Sequence, residues 1–153
     1  MQIKEIMTKK VIFVDLETKI IEVAGLLTRY KFHGLPVVEN EKVKGIITET
    51  DFFLKEIPNL YLPVYVEFFK KKNDVKDISR EEIKKIDNLL KAKAKDIMSV
   101  RCVTVKEDGD INELIKFFKI KHFFTFPVVN ELEKIVGIIT QADIIKMIKG
   151  IED

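Results

Sequence analysis

The chain has 153 residues, of which 46% are hydrophobic and 34% are charged, as is typical of a globular protein with one compact domain or two small halves. Its 27 basic and 25 acidic residues leave a net charge of +2, too balanced for the basic surface that nucleic-acid binding requires. No apolar run is long enough to cross a bilayer, and one cysteine, Cys102, cannot form an internal disulfide, which favours a cytoplasmic location. We therefore expect neither membrane insertion nor a nucleic-acid partner.

The first part of the chain predicts short strands around one amphipathic helix. Runs rich in β-branched residues favour strands at 11–14, 35–38 and 43–48. Thr18 is expected to cap a helix with apolar residues at helical spacing, namely Ile20, Val23, Ala24, Leu27 and Tyr30. A turn is predicted at 40–42, and a short second helix from about Thr50.

The middle of the chain has a different character. Pro58 and Pro63 interrupt it, and it is rich in aromatic residues between 61 and 69. Ser79 followed by Glu82 is a capping box, which predicts a helix with one apolar face. That face is expected to pack on the core or on a partner chain. We divide the chain into a first unit (1–57), an insertion (58–93) and a second unit (94–153).

The last part of the chain repeats the pattern of the first. A strand is predicted at 103–105, and the adjacent Cys102 is expected to be a buried, inert thiol. Asp110 is expected to cap a helix with apolar residues at Ile111, Leu114, Ile115 and Phe118. Strands at 126–129 and 135–140 and a final helix to about Lys149 complete it.

Matched residues show that these two parts are copies. Met7 and Pro36 precede Met98 and Pro127 by 91 residues, and three further pairs are 92 residues apart: Gly45 and Gly137, Thr48 and Thr140, Asp51 and Asp143. Each copy is too small to bury much surface alone, so two copies packed sheet to sheet are expected to share one core. Such a repeat predicts pseudo-twofold symmetry with paired clefts.

Catalytic and metal-binding patterns are missing from the sequence. It has two histidines, His33 and His122, and no Cys/His cluster, Walker A motif, GxGxxG, GxSxG or HExxH. We therefore expect no enzymatic activity, no metal and no required cofactor.

The repeated Gly-Ile-Ile-Thr-x-x-Asp motif has two interpretations. The Thr and Asp can cap the following helix. Alternatively, the helix N-terminus and the Thr hydroxyl suit a phosphate, while the Asp carboxylate accepts both hydroxyls of a ribose. The sequence leaves both interpretations open.

Both copies resemble CBS domains, and the pair resembles a Bateman module. The resemblance rests on three ordered motifs in each copy: Ile-Met at the start, Pro-Val-Val in the middle and Gly-Ile-Ile-Thr-x-x-Asp at the end. It implies an α/β (α+β) fold of two β-α-β-β-α units with two clefts between them. Family members commonly bind adenine nucleotides there, and some bind S-adenosylmethionine. The segment LPVYVEFF also resembles an insertion found in some stand-alone CBS pairs.

The resemblance also implies which residues bind the ligand. Thr and Asp of the last motif contact phosphate and ribose, the residue three before the Pro faces the cleft of the opposite copy, and backbone of the first strand borders the adenine. Carried onto this sequence, the implied site residues are Thr48, Asp51, Phe124 and Val14 with Thr140, Asp143, His33 and Val105. Because Phe124 replaces the more usual basic residue, phosphorylated ligands are expected to prefer the cleft of Asp143 and His33. The alternative for His33 is an ordinary surface histidine.

Together these features predict a non-catalytic regulatory module that binds an adenosine-containing ligand, with AMP, ADP or ATP favoured. It is expected to form a homodimer and to signal to an enzyme or a transporter. A sensor of S-adenosylmethionine and an interaction module with vestigial clefts remain alternatives.

Overall fold

A computed structural model describes residues 1–54, 79–120 and 123–150 of the chain. The first copy contains α1 (Ile20–Tyr30), β1 (Gly34–Glu39), β2 (Lys42–Thr48) and α2 (Asp51–Leu54). Two helices lead to the second copy, α3 (Arg80–Lys91) and α4 (Ala94–Ile97). The second copy contains β3 (Val105–Lys106), α5 (Ile111–Lys119), β4 (Thr125–Val129), β5 (Ile135–Thr140) and α6 (Gln141–Lys149). Helices and small sheets are mixed, which confirms the predicted α+β class.

The two copies build the same antiparallel hairpin. β1 pairs with β2, and β4 pairs with β5, while β3 adds to β4 as a parallel neighbour. Each hairpin has a register shift at the equivalent place, between Val37 and Val38 in one and between Val128 and Val129 in the other. Since an irregularity of this kind recurs at matched positions, the copies are equivalent in detail and not only in outline.

The leading strand of each copy is shorter than predicted. Of the strand predicted at 11–14, only Val14 pairs, forming a parallel bridge to Val37, and a turn held by hydrogen bonds between Asp15 and Thr18 follows at once. In the second copy the strand predicted at 103–105 begins at Val105 and ends at Lys106. The predicted bounds were wrong because β-branched composition favours an extended backbone but does not report which extended residues find a partner strand.

The two long helices of the repeat begin in different ways. Asp110 caps α5 as predicted, since its side chain accepts a hydrogen bond from the Asn112 amide. The cap predicted at Thr18 was wrong: Lys19 occupies the N-cap position of α1 without a side-chain cap. The Thr18 hydroxyl instead donates to the Asp15 carboxylate at 3.1 Å, within the turn that precedes α1. The hydroxyl that was expected to cap the helix therefore stabilises this turn.

Two hydrophobic clusters form in the described residues, where one shared core was expected. The first surrounds Val23, Leu35 and Ile47, and the second surrounds Leu114 and Phe126. The hairpin and helices of one copy form most of each cluster, and the other copy supplies the rest. Apolar burial is thus shared between the copies as expected, but it is divided between two clusters.

Each cluster is completed by a segment from the other copy. Residues 1–8, here called the first lead-in, place Ile3 in the second cluster, with Met7 packed against it. Residues 94–99, the second lead-in, place Ala94 and Ile97 in the first cluster. The lead-ins are tied by backbone bridges, Thr8 to Ile138 and Ser99 to Ile46. The lead-in of each copy therefore packs against the other copy.

The helix predicted after Ser79 is present as α3 and contacts α1. Ile83 and Leu90 of this helix remain 56% and 48% exposed, so part of its apolar face is open to solvent. The Glu82 side chain of the predicted capping box and the aromatic residues between 61 and 69 lie outside the described residues. Among the described residues, no helix has the length and apolar character needed to span a bilayer.

Candidate functional site

The repeated Thr-x-x-Asp motif lies between β5 and α6 in the second copy. Asp143 is 6% exposed, and its Oδ2 accepts hydrogen bonds from the Thr140 amide and the Thr140 hydroxyl, both at 2.8 Å. The Asp143 amide in turn donates to the Thr140 hydroxyl at 3.4 Å, which completes a reciprocal capping box. The capping interpretation therefore describes the motif in the absence of a ligand.

The first copy repeats this arrangement. Asp51 is 8% exposed, and its Oδ2 accepts from the Thr48 amide at 2.8 Å and from the Thr48 hydroxyl at 3.2 Å. α2 begins at Asp51, as α6 begins directly after Thr140. The two motifs thus match in their carboxylate contacts and in their place at the start of a helix.

A second donor reaches each carboxylate from the lead-in that crosses to that copy. The Ser99 hydroxyl donates to Asp51 Oδ1 at 2.9 Å, and the Thr8 hydroxyl donates to Asp143 Oδ1 at 3.4 Å. The sequence reasoning missed both residues. The signal was present, because each follows the matched methionine of its copy, Met7 or Met98.

One cation beside the second motif was also missed. Lys146 Nζ lies 3.9 Å from Asp143 Oδ1, one turn along α6, and its side chain is 77% exposed. The first copy has Leu54 at the equivalent position in the sequence, so this cation has no counterpart there. The spacing of three residues on a predicted helix could have identified it.

His33 and Phe124, which are equivalent in the two copies, meet each other. Their ring centroids are 6.0 Å apart, and the planes are tilted by 40°. His33 Nδ1 lies 3.8 Å from the Glu49 carboxylate of its own copy. Within the described part of the chain, no hydrogen bond or ion pair joins His33 to Asp143 or Thr140, although the sequence placed these three residues around one cleft.

A cavity of about 480 Å³ opens beside His33 in the first copy. Its apolar wall comes from α1 and α2, and its rim carries a hydroxyl, a lysine, the imidazole and a carboxylate. The lining residues are Ala24, Leu27, Thr28, Lys31, His33, Glu49 and Phe52. At the positions equivalent to Ala24 and Leu27 the second copy has the larger Ile115 and Phe118, both packed against the second cluster.

The two valines expected to border an adenine both pair with a strand of their own copy, Val14 through an isolated bridge and Val105 as part of β3. Val14 is buried, and its amide and carbonyl both pair with β1, at Pro36 and Val38. Val105 of β3 pairs with Val128 of β4. The polar backbone atoms of Val14 are thus already used in the sheet.

Cys102 is half-buried, where a buried thiol was expected. Partial burial raises the pKa of its thiol to about 11, so the thiol stays protonated at neutral pH. No group of three or more His, Cys, Asp or Glu side chains in the described residues could hold a metal ion. Nor do these residues contain a buried side-chain nitrogen or oxygen that lacks a hydrogen-bond partner.

Solved structures with the same fold include two that carry adenosine ligands. The chain is similar to CBSX2 of Arabidopsis thaliana in complex with AMP, with a TM-score of 0.71 and 19% identity over 99% of this chain and 98% of that one. It is similar to the CBS domain pair of MJ0100 in complex with 5′-methylthioadenosine and S-adenosyl-L-methionine, with a TM-score of 0.66 and 22% identity over 98% and 97% of the two chains. At these identities the likeness shows the fold alone.

Sequence comparison leads to the same family. The chain is 29% identical over 152 residues to MJ1426, an uncharacterized protein of Methanocaldococcus jannaschii, covering 95% of this chain and 90% of that protein. The model of the CBS domain family matches residues 3–56 and again residues 94–150. These two matches cover most of the chain, and the protein therefore belongs to the CBS domain family as a tandem pair.

Proposed function

We propose that this CBS pair is a non-catalytic regulatory module that binds an adenosine-containing ligand, with AMP, ADP or ATP favoured. The observation that carries the proposal is the doubled Thr-x-x-Asp motif, in which two buried carboxylates occupy equivalent positions and have equivalent contacts. An ionised carboxylate accepts hydrogen bonds at roughly four lone-pair positions, so one buried carboxylate at each of two matched places suits a polar ligand with paired hydroxyls. The adenosine ligands of the two similar solved structures support this choice of ligand class.

In this proposal the ribose hydroxyls bind Asp143 and Asp51, and the base lies along the strands of Val105 and Val14. A phosphate is favoured at the second motif, where a nine-residue helix presents its N-terminus beside Thr140 and where Lys146 supplies a cation. His33 Nδ1 lies 3.8 Å from the Glu49 carboxylate, so Nε2 is the nitrogen that would donate to such a phosphate, and Phe124 offers an apolar surface to the other cleft. S-adenosylmethionine, with no phosphate, is the alternative ligand.

Regulation implies a partner. We propose that occupancy of the clefts is passed to an enzyme or a transporter, and that the module itself needs no cofactor. The cytoplasmic location expected from the sequence stays a prediction.

The second candidate is an interaction module whose motif serves only as a helix cap. It is favoured by the reciprocal capping box at Thr140 and by the complete hydrogen bonding of both carboxylates. The two candidates differ in what removal of a carboxylate does to ligand affinity.

Asp143→Ala tests the proposal. Loss of hydrogen bonds to a charged acceptor should weaken nucleotide binding by roughly 1.5–3 kcal/mol, measured by calorimetry with AMP, ADP, ATP and S-adenosylmethionine. Asp96→Ala is the matched control, because Asp96 accepts from the Lys93 amide at 2.7 Å as Asp143 accepts from Thr140, yet lies outside the motif. Both variants should melt earlier, but affinity should fall only in Asp143→Ala. Equal affinity in wild type and Asp143→Ala would favour the interaction module.

A further inference from the structure

Each motif carboxylate is held by a hydroxyl from a lead-in. Ser99 donates to Asp51 Oδ1 at 2.9 Å, and Thr8 donates to Asp143 Oδ1 at 3.4 Å. Positions 8 and 99 are equivalent in the repeat, being 91 residues apart like Met7 and Met98. A lead-in hydroxyl thus contacts a motif carboxylate in both halves of the molecule, although one residue is a serine and the other a threonine. In both halves the carboxylate belongs to the copy against which the lead-in packs.

Counting hydrogen-bond positions shows why these contacts matter for a ligand. A carboxylate offers roughly four lone-pair positions. At Asp143, Oδ2 already accepts from the Thr140 amide and hydroxyl, and Oδ1 accepts from Thr8. With these three donors in place, the carboxylate lacks the lone-pair positions needed to accept both hydroxyls of a ribose diol as well. Asp51 has the same three kinds of donor and takes part in a further interaction.

The donors differ in how easily they leave. The Thr140 and Thr48 amides are fixed by the chain at 2.8 Å, and their loss would uncap the motif. The backbones of Thr8 and Ser99 are fixed too, since each exchanges two hydrogen bonds with its neighbouring strand, at Ile138 and Ile46 respectively. Their hydroxyls, however, need only a side-chain rotation to leave the carboxylate.

We propose that Thr8 and Ser99 are gating residues: their hydroxyls donate to the Asp143 and Asp51 carboxylates and must be displaced by the diol of an incoming ligand. This inference rests on the proposed function. It makes the affinity of each cleft depend on a residue in the lead-in, and it ranks the clefts. The Asp51 cleft, with its shorter hydroxyl contact, is the more firmly closed.

The test compares ligands with and without the diol. Adenosine and 2′,3′-dideoxyadenosine are titrated by calorimetry into wild type, Thr8→Val and Ser99→Ala. To read one cleft at a time, Thr8→Val is repeated in an Asp51→Ala background and Ser99→Ala in an Asp143→Ala background. Asn112→Ala is the control, since it removes a side-chain amide that donates to the Asp110 carboxylate at 3.1 Å, outside both motifs and the cavity.

Removal of a gating hydroxyl should tighten adenosine binding by roughly tenfold to a hundredfold, the change expected from one hydrogen bond to a charged group, with the larger change for Ser99→Ala. Affinity for 2′,3′-dideoxyadenosine should stay the same, and so should adenosine binding to Asn112→Ala. The ligand-free gating variants should melt earlier than wild type. A merely structural hydroxyl would give earlier melting without tighter binding.

Three outcomes would count against the inference. Unchanged or weaker adenosine binding by both gating variants, with normal binding by wild type, overturns the gate and leaves the proposed function standing. Equal tightening for both nucleosides also overturns it, because the diol would then play no part. If wild type and all variants fail to bind adenosine and also AMP, ADP, ATP and S-adenosylmethionine, the proposed function and the gate are both wrong.

Discussion

Gly45 and Gly137 lie where the lead-ins cross the second strand of each hairpin. A Cβ atom at Gly45 would lie 2.7 Å from the Ser99 carbonyl oxygen and 3.0 Å from Met98 Sδ. A Cβ atom at Gly137 would meet the Met7 side chain. Neither glycine has a positive φ, so what these positions require is space and not backbone freedom.

Gly45→Ala should destabilise the protein by about 1–3 kcal/mol, the usual cost of overpacking a close contact. The obstacle is a backbone oxygen that is held by the bridge between Ser99 and Ile46, so it cannot move aside cheaply. Urea unfolding measures the change. Gly137→Ala should cost less, because the flexible end of Met7 can give way.

Gly25→Ala is the control for this pair. Nothing lies within 4 Å of a Cβ at Gly25, which is exposed in the middle of α1, so the alanine should stabilise the helix by about 0.5–1 kcal/mol. If Gly45→Ala were as stable as wild type, the lead-in would not be packed as tightly as the structure describes.

At the scale of elements, the equivalent helices α1 and α5 differ in their N-caps. Asp110 caps α5 through the Asn112 amide at 2.9 Å, whereas Lys19 gives α1 no side-chain cap. The free amide groups at the start of α1 must therefore find other acceptors, including water.

Removing the cap of α5 and introducing one at α1 should change the free energy of unfolding in opposite directions. Asp110→Ala should lower the free energy of unfolding by about 1 kcal/mol, and Asp110→Asn should keep most of it, because asparagine also accepts at the N-cap. Lys19→Ser should raise the free energy of unfolding by a smaller amount. Chemical denaturation of the three variants measures this, and a stable Asp110→Ala would mean that α5 is held by packing alone.

At the scale of the whole molecule, an ion cluster joins the first copy to the chain that enters the second. Glu17 forms ion pairs with Lys93 and Lys95, which flank the start of α4. These hydrogen bonds lower the pKa of Glu17 from 4.5 to about 2. A lowered pKa means that the folded protein binds the ionised form better than the unfolded chain does.

The sign of the pH effect follows from this direction. The stabilisation by Glu17 is present in full above pH 4.5 and is lost as the pH falls from 4.5 to about 2. Glu17→Gln should therefore melt earlier than wild type at neutral pH, and the difference should shrink across this window and at high salt. Glu131→Gln is the control, because Glu131 forms no ion pair with the described residues. A melting difference that does not depend on pH would contradict the prediction.

Apolar side chains exposed on three helices predict association. Ile21 of α1 is 47% exposed, Phe117 of α5 is 39% exposed, and Ile145 and Ile148 of α6 are 66% and 57% exposed. We expect a homodimer that covers such side chains, with about twice the 17.8 kDa of one chain in light scattering. Ile145→Lys combined with Ile148→Lys should shift the mass toward one chain. Wild type at micromolar concentration with a mass of 17.8 kDa only would contradict this.

The sequence by itself determined the repeat, the hairpins and the family. Apolar runs such as Pro-Val-Val predicted β1 and β4 close to their observed bounds, because strands buried on both faces are apolar at successive residues. The Gly-Ile-Ile runs predicted β2 and β5 through their β-branched residues, although burial alternates along these two strands. The N-cap at Asp110 and the Thr-x-x-Asp pairing are local, within two or three residues, so local rules sufficed for them. The division at residues 57 and 94 stays a prediction.

Only the tertiary structure decided what lies between the copies. Ser99 contacts a carboxylate 48 positions away, and Thr8 contacts one 135 positions away. The contact of His33 with Phe124 and the packing of each lead-in also join residues of different copies. The spacing marked positions 8 and 99 as equivalent, but it did not reveal which groups they contact. These contacts arise because each small copy cannot bury its apolar face alone and takes the missing cover from the start of the other copy.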